Sequence, residues 1–360
     1  MTCQYSGAVR NVGFVDDSKY NNLIVANGGA SLGTFSPFSL EDTYWSVYFN
    51  SSHFNIPDSS DFTFGSNNFS IAVWVYRTGS NASTEVSIAN TGGNSYTSWL
   101  FTTKKFWGTT TGGAWNIQVN YSQDVPVHQW VYVQVNRVGN VYTVYQNGVS
   151  VGTTTVSGSL YNNSDNFQLG FRNGAGNMLG YMSNFIMTNG GNLANTNVPT
   201  SPATADSNTK LLCLQSNRFI DNSSSGHTLS PDNSNVKVKP FSPFAPSRSY
   251  SKDVVGGSAF FDQGKISFNP RAFDAIRNGD FTIEFWWYPV GGLTGYPGLF
   301  SMGVGGGFSN ILNIGIAGNN VIQGSLVSGY SADFTTPHNS YRDFQWHHIV
   351  LTRSGSGSNN

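Results

Sequence analysis

The sequence predicts an all-β protein built as two copies of one domain, and three observations predict it. The first is a repeated apolar stretch: Phe69–Tyr76, FSIAVWVY, returns as Phe281–Tyr288, FTIEFWWY, with Trp74 and Trp286 212 positions apart. The second is composition. Aromatics are 14% of the 360 residues and charged residues only 10%, and Glu occurs only at 41, 85 and 284, so the usual formers of surface helices are nearly missing. The third is punctuation: short apolar runs are separated by Ser, Thr, Asn and the 41 Gly, as strands are separated by loops. The length suits two domains, each with a sizeable core.

In the central stretch, Phe69, Ile71, Val73 and Val75 alternate with Ser70, Ala72, Trp74 and Tyr76. Apolar residues on both faces predict a strand in mid-sheet, covered on both sides. Other landmarks repeat around it in the same order. Gly13–Ser18 (GFVDDS) answers Arg218–Ser223 (RFIDNS), and Thr34–Phe38 (TFSPF) answers Pro240–Phe244 (PFSPF). Ser46–Asn50 (SVYFN) answers Ser258–Asp262 (SAFFD), and Gln129–Asn136 answers Gln345–Thr352. Between landmarks, Trp115–Tyr121 (WNIQVNY) alternates strictly, which predicts Trp115, Ile117, Val119 and Tyr121 in the core. By the same periodicity Trp74, Trp130, Trp286 and Trp346 are core residues. Val141–Val151 reads as a hairpin about Asn147-Gly148, which suits a type I′ turn. Phe167–Phe171 and Gly180–Met187 close the first copy. One helical turn is predicted after Asn269-Pro270, with Gly279 as its stop.

These landmarks divide the chain into a domain over 1–190, a linker over 191–208 and a second domain over 209–360. The second copy stops shortly after its Trp346 strand, so it is expected to lack its last strands. Its sheet would keep open edges, filled by further polypeptide or by another chain. Cys3 and Cys213 are too few for a disulfide framework, and each is expected to be a small buried hydrophobe. The start, MTCQYSGAVRN, has neither a basic nor an apolar signal region, and no run is long enough to span a membrane. A net charge of −1 without a basic cluster argues against nucleic acid or an anionic membrane as partner.

The succession FTIEFWWY, long hairpins and WHHIVLTR, with the Asn-Gly hairpin and GYMSNF of the first copy, resembles the laminin-G-like, concanavalin A-like jelly-roll family. The resemblance implies two stacked antiparallel sheets in each copy, a tandem of β-sandwiches. A narrower likeness lies in Thr200–Ser223 and Pro240–Pro246, which resemble repeat units of virion structural proteins of marine bacteriophages. That likeness implies a tail fibre, appendage or capsid fibre at the virion surface, with other virion subunits as partners and a homo-oligomeric state. A virion protein needs no signal peptide.

Four chemistries were weighed on the residues. Glycoside hydrolysis needs two carboxylates ~5–9.5 Å apart. The hydrolases of this fold resemble Glu-x-Asp-x-x-Glu or Glu-x-Asp-x-Glu, which do not occur here; Glu284 stands alone, with Ala72 as its counterpart. The chain is therefore expected not to be an enzyme, with glycan degradation a remote alternative. His347 and His348 would face opposite ways in a strand and could not share one metal. Structural calcium remains an option through Asn50, Asp61, Asp262 and Asp280, oxygen donors at strand ends; the competing reading makes them turn residues bonding their own backbone. Glycan binding would use loop aromatics beside amides: Tyr96, Trp99 and Trp107 in the first copy, Tyr296, Tyr330 and Tyr341 in the second. Against each stands a packing role, since most aromatics are buried. The expected function is adhesion to host-surface polysaccharide, and the alternative is a purely architectural part of the virion.

Overall fold

The structure is a computed structural model that describes residues 24–33, 44–78, 88–90, 98–170, 178–193, 197–232, 236–241, 243–244, 258–268, 279–291, 293, 297–303, 310–325 and 333–355. Its first strands are β1 (Ile24–Gly33), β2 (Ser46–Asn50), β3 (Phe54–Ile56), β4 (Phe69–Arg77), β5 (Ile88–Asn90) and β6 (Trp99–Phe101). Then follow β7 (Lys105–Gly108), β8 (Ile117–Asn120), β9 (Trp130–Val138), β10 (Val141–Gln146), β11 (Val149–Thr155) and β12 (Phe167–Leu169). The chain continues through β13 (Leu179–Asn189), β14 (Thr209–Cys213), β15 (Ser230–Pro231), β16 (Lys237–Lys239) and β17 (Ser258–Phe268). It ends with β18 (Phe281–Trp287), β19 (Gly298–Gly303), β20 (Asn310–Ala317), β21 (Val321–Ser325), β22 (Phe334–Thr335) and β23 (His347–Arg353). Among the described residues strand is the dominant regular structure and the one helical element is the 3-10 turn Ser60–Phe62, so the all-β expectation holds. Among the described residues no helix is long and apolar enough to cross a membrane.

The chain divides into two compact units, Ser39–Arg248 and a second composed of Met1–Phe38 with Ser249–Asn360. The first unit is a sandwich of concanavalin A-like form. One sheet runs β11-β10-β9-β4-β13-β2-β16, with β14 also on β13; the other runs β15-β3-β12-β5-β6-β7-β8. All of these strand pairs are antiparallel. Rings join the two sheets: Phe106 stacks at 6.1 Å from Tyr142, and Phe167 meets Phe185 at 5.8 Å. Where β11 passes β8, Gly152 leaves no room for a side chain, since a Cβ would lie 2.4 Å from the Asn120 carbonyl.

β4 sits in mid-sheet between β9 and β13 and is buried on both faces, as its sequence predicts. Phe69, Ile71, Val73 and Val75 enter the core between the sheets. The opposite face has a cover of its own. Ala72, Trp74, Tyr132, Ile186 and Leu212 form a cluster against which Trp130, Leu193, Ala203 and Phe244 pack. The Asn-Gly hairpin also forms as expected: Asn147 and Gly148 have φ of 47° and 79°, and the Asn147 side chain accepts the Tyr132 N–H at 2.8 Å.

Residues 209–239, expected to open the second sandwich, are hydrogen-bonded into the first. β14 pairs with β13, β15 with β3, and β16 with β2. The stretch expected to be a linker also lies on this unit: Ala203 N–H donates to Asn184, and Leu193 N–H donates to Ser70. The physical reason is the outer face of β4. A sheet centred on FSIAVWVY carries apolar side chains on both sides, and the chain that follows β13 is what buries the second side. Cys213 is buried with a free thiol, as expected, and burial raises its pKa well above the usual value; Cys3 lies outside the described residues.

In the second unit β18 pairs with β23, β17 with β1, and β19 to β22 form a four-stranded sheet. Trp286 lies opposite His348 in register and stacks on it at 4.9 Å, while His347 meets Trp287 from the other face, as their neighbouring positions predict. No residue of β18 is fully buried, unlike β4: Thr282 and Glu284 are exposed and the rest half-buried. Among the described residues nothing pairs with its second edge, the place β13 takes beside β4. The helical turn expected after Asn269-Pro270 lies outside the described residues.

Candidate glycan-binding face

The expected site residues fall into different environments. Trp99 is not at the surface. It lies on the inner face of β6, fully buried, with Phe167 at 5.6 Å and Phe64 at 6.0 Å. Its neighbour across the ladder is Gly108, where a Cβ would press on Leu160 and Ile117. Tyr341 is also a packing residue, 4% exposed, with its ring 4.8 Å from Trp287. Tyr96, Tyr296 and Tyr330 lie outside the described residues.

Trp107 is where a ligand could reach it. In β7, Phe106 and Gly108 point inward and are buried, so Lys105 and Trp107 point out and remain half-exposed. Across the ladder Trp107 faces Gln118, and Lys105 faces Asn120. Gln118 and Asn120 are exposed, alternating with the fully buried Ile117 and Val119. The outer face of β7 and β8 therefore presents an indole, two amides and an ammonium. Lys105 Nζ lies 4.8 Å from the Trp107 ring centroid, a cation–π distance that holds both side chains against the sheet.

A second indole joins it. Trp115, expected in the core, is half-exposed, and its ring lies 5.9 Å from Trp107 at 57°. Its strand begins at Ile117, so the alternation that runs through Ile117 and Val119 does not extend back to Trp115. Hydrogen bonds hold the β7–β8 loop in place. The Asn116 side chain accepts the Thr110 N–H at 2.9 Å and donates to the Thr110 hydroxyl, and Gln118 donates to the Trp115 carbonyl at 2.8 Å. Gly112, at φ of +73°, lies against the Tyr161 ring. The Thr109-Thr-Thr-Gly-Gly113 run just before Trp115 was the available sign that a loop, not a strand, carries it.

A cleft of about 420 Å³ opens elsewhere on the same unit, where Pro126, Val131 and Val149 line it together with Gln123, Asp124, Gln129, Gln146 and Asn147. It carries no aromatic side chain.

The four residues named for calcium do not converge. Asp61 follows a 3-10 cap at Ser59, and its carboxylate already has partners within the protein, His227 Nε2 at 3.1 Å and the Lys210 ammonium at 3.9 Å. That surrounding opposes a divalent ion. Asp280 accepts the N–H of Gly355, 75 residues further along the chain, at 2.6 Å, and it belongs to the other unit. Asn50 is exposed at the end of β2, and the side chain of Asp262 lies outside the described residues. Among the described residues no three His, Cys, Asp or Glu side chains gather in a metal-holding group. Glu284 is largely exposed, with His348 Nε2 at 3.6 Å.

Residues 49–190 match the family profile of the concanavalin A-like lectin/glucanases superfamily. No curated protein matches the chain in sequence. Among solved structures, a Bacteroides ovatus protein assigned to carbohydrate binding is 14% identical with a TM-score of 0.41, over 55% of this chain and 60% of that one. Domain 4 of AbnA, a GH43 arabinanase from Geobacillus stearothermophilus solved with arabinotriose, is 15% identical with a TM-score of 0.32, over 46% of this chain and 81% of that one. A SAP-like pentraxin from Limulus polyphemus is 12% identical with a TM-score of 0.40, over 58% and 99%.

Proposed function

We propose that the chain is a non-catalytic glycan-binding protein and that the outer face of β7 and β8 is its binding surface. One observation carries this: Trp107 and Trp115, half-exposed and 5.9 Å apart, sit beside Gln118, Asn120 and Lys105 on a sheet face whose inner side is fully packed. Indole faces stack on the apolar faces of sugar rings, and the amides and ammonium bond hydroxyls. Only one part of the pairing is chemical; the tilt of 57° between the rings gives two non-parallel platforms, suited to successive sugars of a twisted polysaccharide. The acids support a non-catalytic reading. Asp61 is engaged by His227 and Lys210, and Glu284 by His348. On the particle-surface likeness of 200–223 and 240–246, the bound glycan is a host-surface polysaccharide, and weak single sites are multiplied over a symmetric virion.

The test is binding of the labelled chain, single and multimerised, to marine bacterial surface polysaccharides. Trp107→Ala with Trp115→Ala should weaken saturable binding roughly tenfold or more, since an aromatic stacking contact contributes about 0.5–1.5 kcal/mol. Unchanged binding by the double variant, or none by the multimerised wild type, sinks this reading.

A second reading, virion architecture, is favoured by a different observation: strands from the opening of the second repeat complete the first sandwich. A chain so interleaved suits an end-to-end fibre. Loss of particle incorporation on deleting 249–360, which leaves Ser39–Arg248 in place, with polysaccharide binding absent in the wild type, would favour it.

A further inference from the structure

The two repeats exchange a strand, and the exchange is reciprocal. In the first unit, β16 lies on β2 with Lys239 opposite Ser46, Val238 opposite Val47 and Lys237 opposite Tyr48. In the second unit, β1 lies on β17 with Gly33 opposite Ser258, Leu32 opposite Ala259 and Ser31 opposite Phe260. Ser46–Asn50 and Ser258–Asp262 are equivalent segments of the two repeats. Gly33 and Lys239 are equivalent too, each standing directly before the FSPF landmark, as TFSPF and PFSPF. The sequence repeat and the hydrogen-bond register thus identify the same residues independently. Each donor strand sits on the other repeat's acceptor strand, at one register.

A second connectivity makes the same pairs. Gly33 and Ser46 are separated by residues 34–45, and a hairpin within the repeat would set them opposite each other as Gly33 and Ser258 are here. Two arrangements that share every strand contact differ mainly in loop-closure entropy, which grows only slowly with loop length. This is the condition under which identical elements exchange between molecules.

The two seats are not equally sealed. On β2, Phe49 is fully buried, and the chain after β16 lays Phe241 on Tyr76 at 4.9 Å and on Trp130 at 5.2 Å. On β17 the equivalent Phe261 is 46% exposed and its neighbour Phe260 51%. The acceptor strand β17 is therefore less sealed than β2.

We propose that β1 is an exchangeable donor strand whose partner is a second copy of this chain: β1 of one molecule pairs with Ser258–Asp262 of another in the register seen here. Adhesion plays no part in the argument, so the proposal stands apart from the glycan-binding reading. Two variants, Leu32→Cys and Ala259→Cys, each with Cys3→Ser and Cys213→Ala, are unfolded, mixed at high concentration, refolded and oxidised. The expected product is a covalent heterodimer with a disulfide between positions 32 and 259, identified by mass spectrometry. The out-of-register pair Val25→Cys with Ala259→Cys should give none, since Val25 lies opposite Ser267. Light scattering on the refolded wild type supplies a measurement independent of the cysteines; the dimer fraction should rise with refolding concentration. Monomer at every concentration overturns the proposal, and so does a dimer in which positions 32 and 259 do not join.

Discussion

His53 and Asp232 meet twice, although 179 positions separate them in the chain. The His53 backbone N–H donates to Oδ1 at 2.8 Å, and Nδ1 lies 3.1 Å from Oδ2. Asp61 and His227, also 3.1 Å apart, repeat the pairing with the acid now earlier in the chain. Two imidazole–carboxylate contacts thus fasten the stretch from His227 to Asp232 to the sandwich.

The first pair makes stability depend on pH. Burial holds the His53 imidazole below its ordinary value of 6.5, against the opposite pull of Asp232 and Asn55. The unfolded chain then binds a proton that the folded chain resists. Stability is complete above 6.5 and falls as pH drops through that value toward the depressed native one. Thermal midpoints measured from pH 8 to 5 should show the fall, and His53→Gln should flatten it; an unchanged slope would refute the assignment.

Truncation should separate the folding unit from the repeat. A chain of residues 39–248 is expected to unfold cooperatively by itself, whereas one of residues 39–208 loses β14, β15 and β16 and bares Trp74, Tyr132 and Ile186. Each large apolar side chain so uncovered forfeits about 1.5–3 kcal/mol, and a few of them match the ~5–15 kcal/mol of a typical domain. Calorimetry of the two proteins decides it. A shorter chain as stable as the longer one would contradict the structure.

Two tryptophans of neighbouring strands should behave oppositely. Trp99→Ala removes a fully buried indole and should cost about 3–5 kcal/mol. Trp107→Ala removes a half-exposed one and should cost about 1 kcal/mol or less. Urea denaturation of both variants, alongside polysaccharide binding, distinguishes a packing residue from a ligand platform.

Arg137 offers a fourth test. It is 1% exposed, lies 5.2 Å from the Tyr142 ring centroid, and donates to three loop carbonyls: Gly139 and Gly158 at 2.8 and 2.7 Å, and Gly65. Lysine cannot reproduce that planar fork. Arg137→Lys should therefore lower stability by about 2–4 kcal/mol in urea denaturation, as buried carbonyls lose charged donors. A loss under ~1 kcal/mol would show that the loops hold without it.

The sequence showed β4 plainly, because its residues are apolar at both parities, and it showed the Asn147-Gly148 turn, because few residues adopt its backbone. It did not show what covers Trp74. The covering residues, Leu193, Ala203, Leu212 and Phe244, are spread over loops and the short strand β14 with no common period, so only the fold brings them together. At the candidate site Trp107 was legible as an aromatic among polar residues. Trp115 was misplaced because alternation cannot tell where a strand begins, and Trp99 because a three-residue strand is too short to show a period. Asp61 looked like an oxygen ligand at a turn; its partners His227 and Lys210 are remote in sequence and invisible until the chain folds.

The placement of β14, β15 and β16 bears on when the first sandwich can close during synthesis. A chain made from its N-terminus keeps one edge of β2 and one edge of β3 unpaired until Lys239 has been made, so the sandwich is completed late.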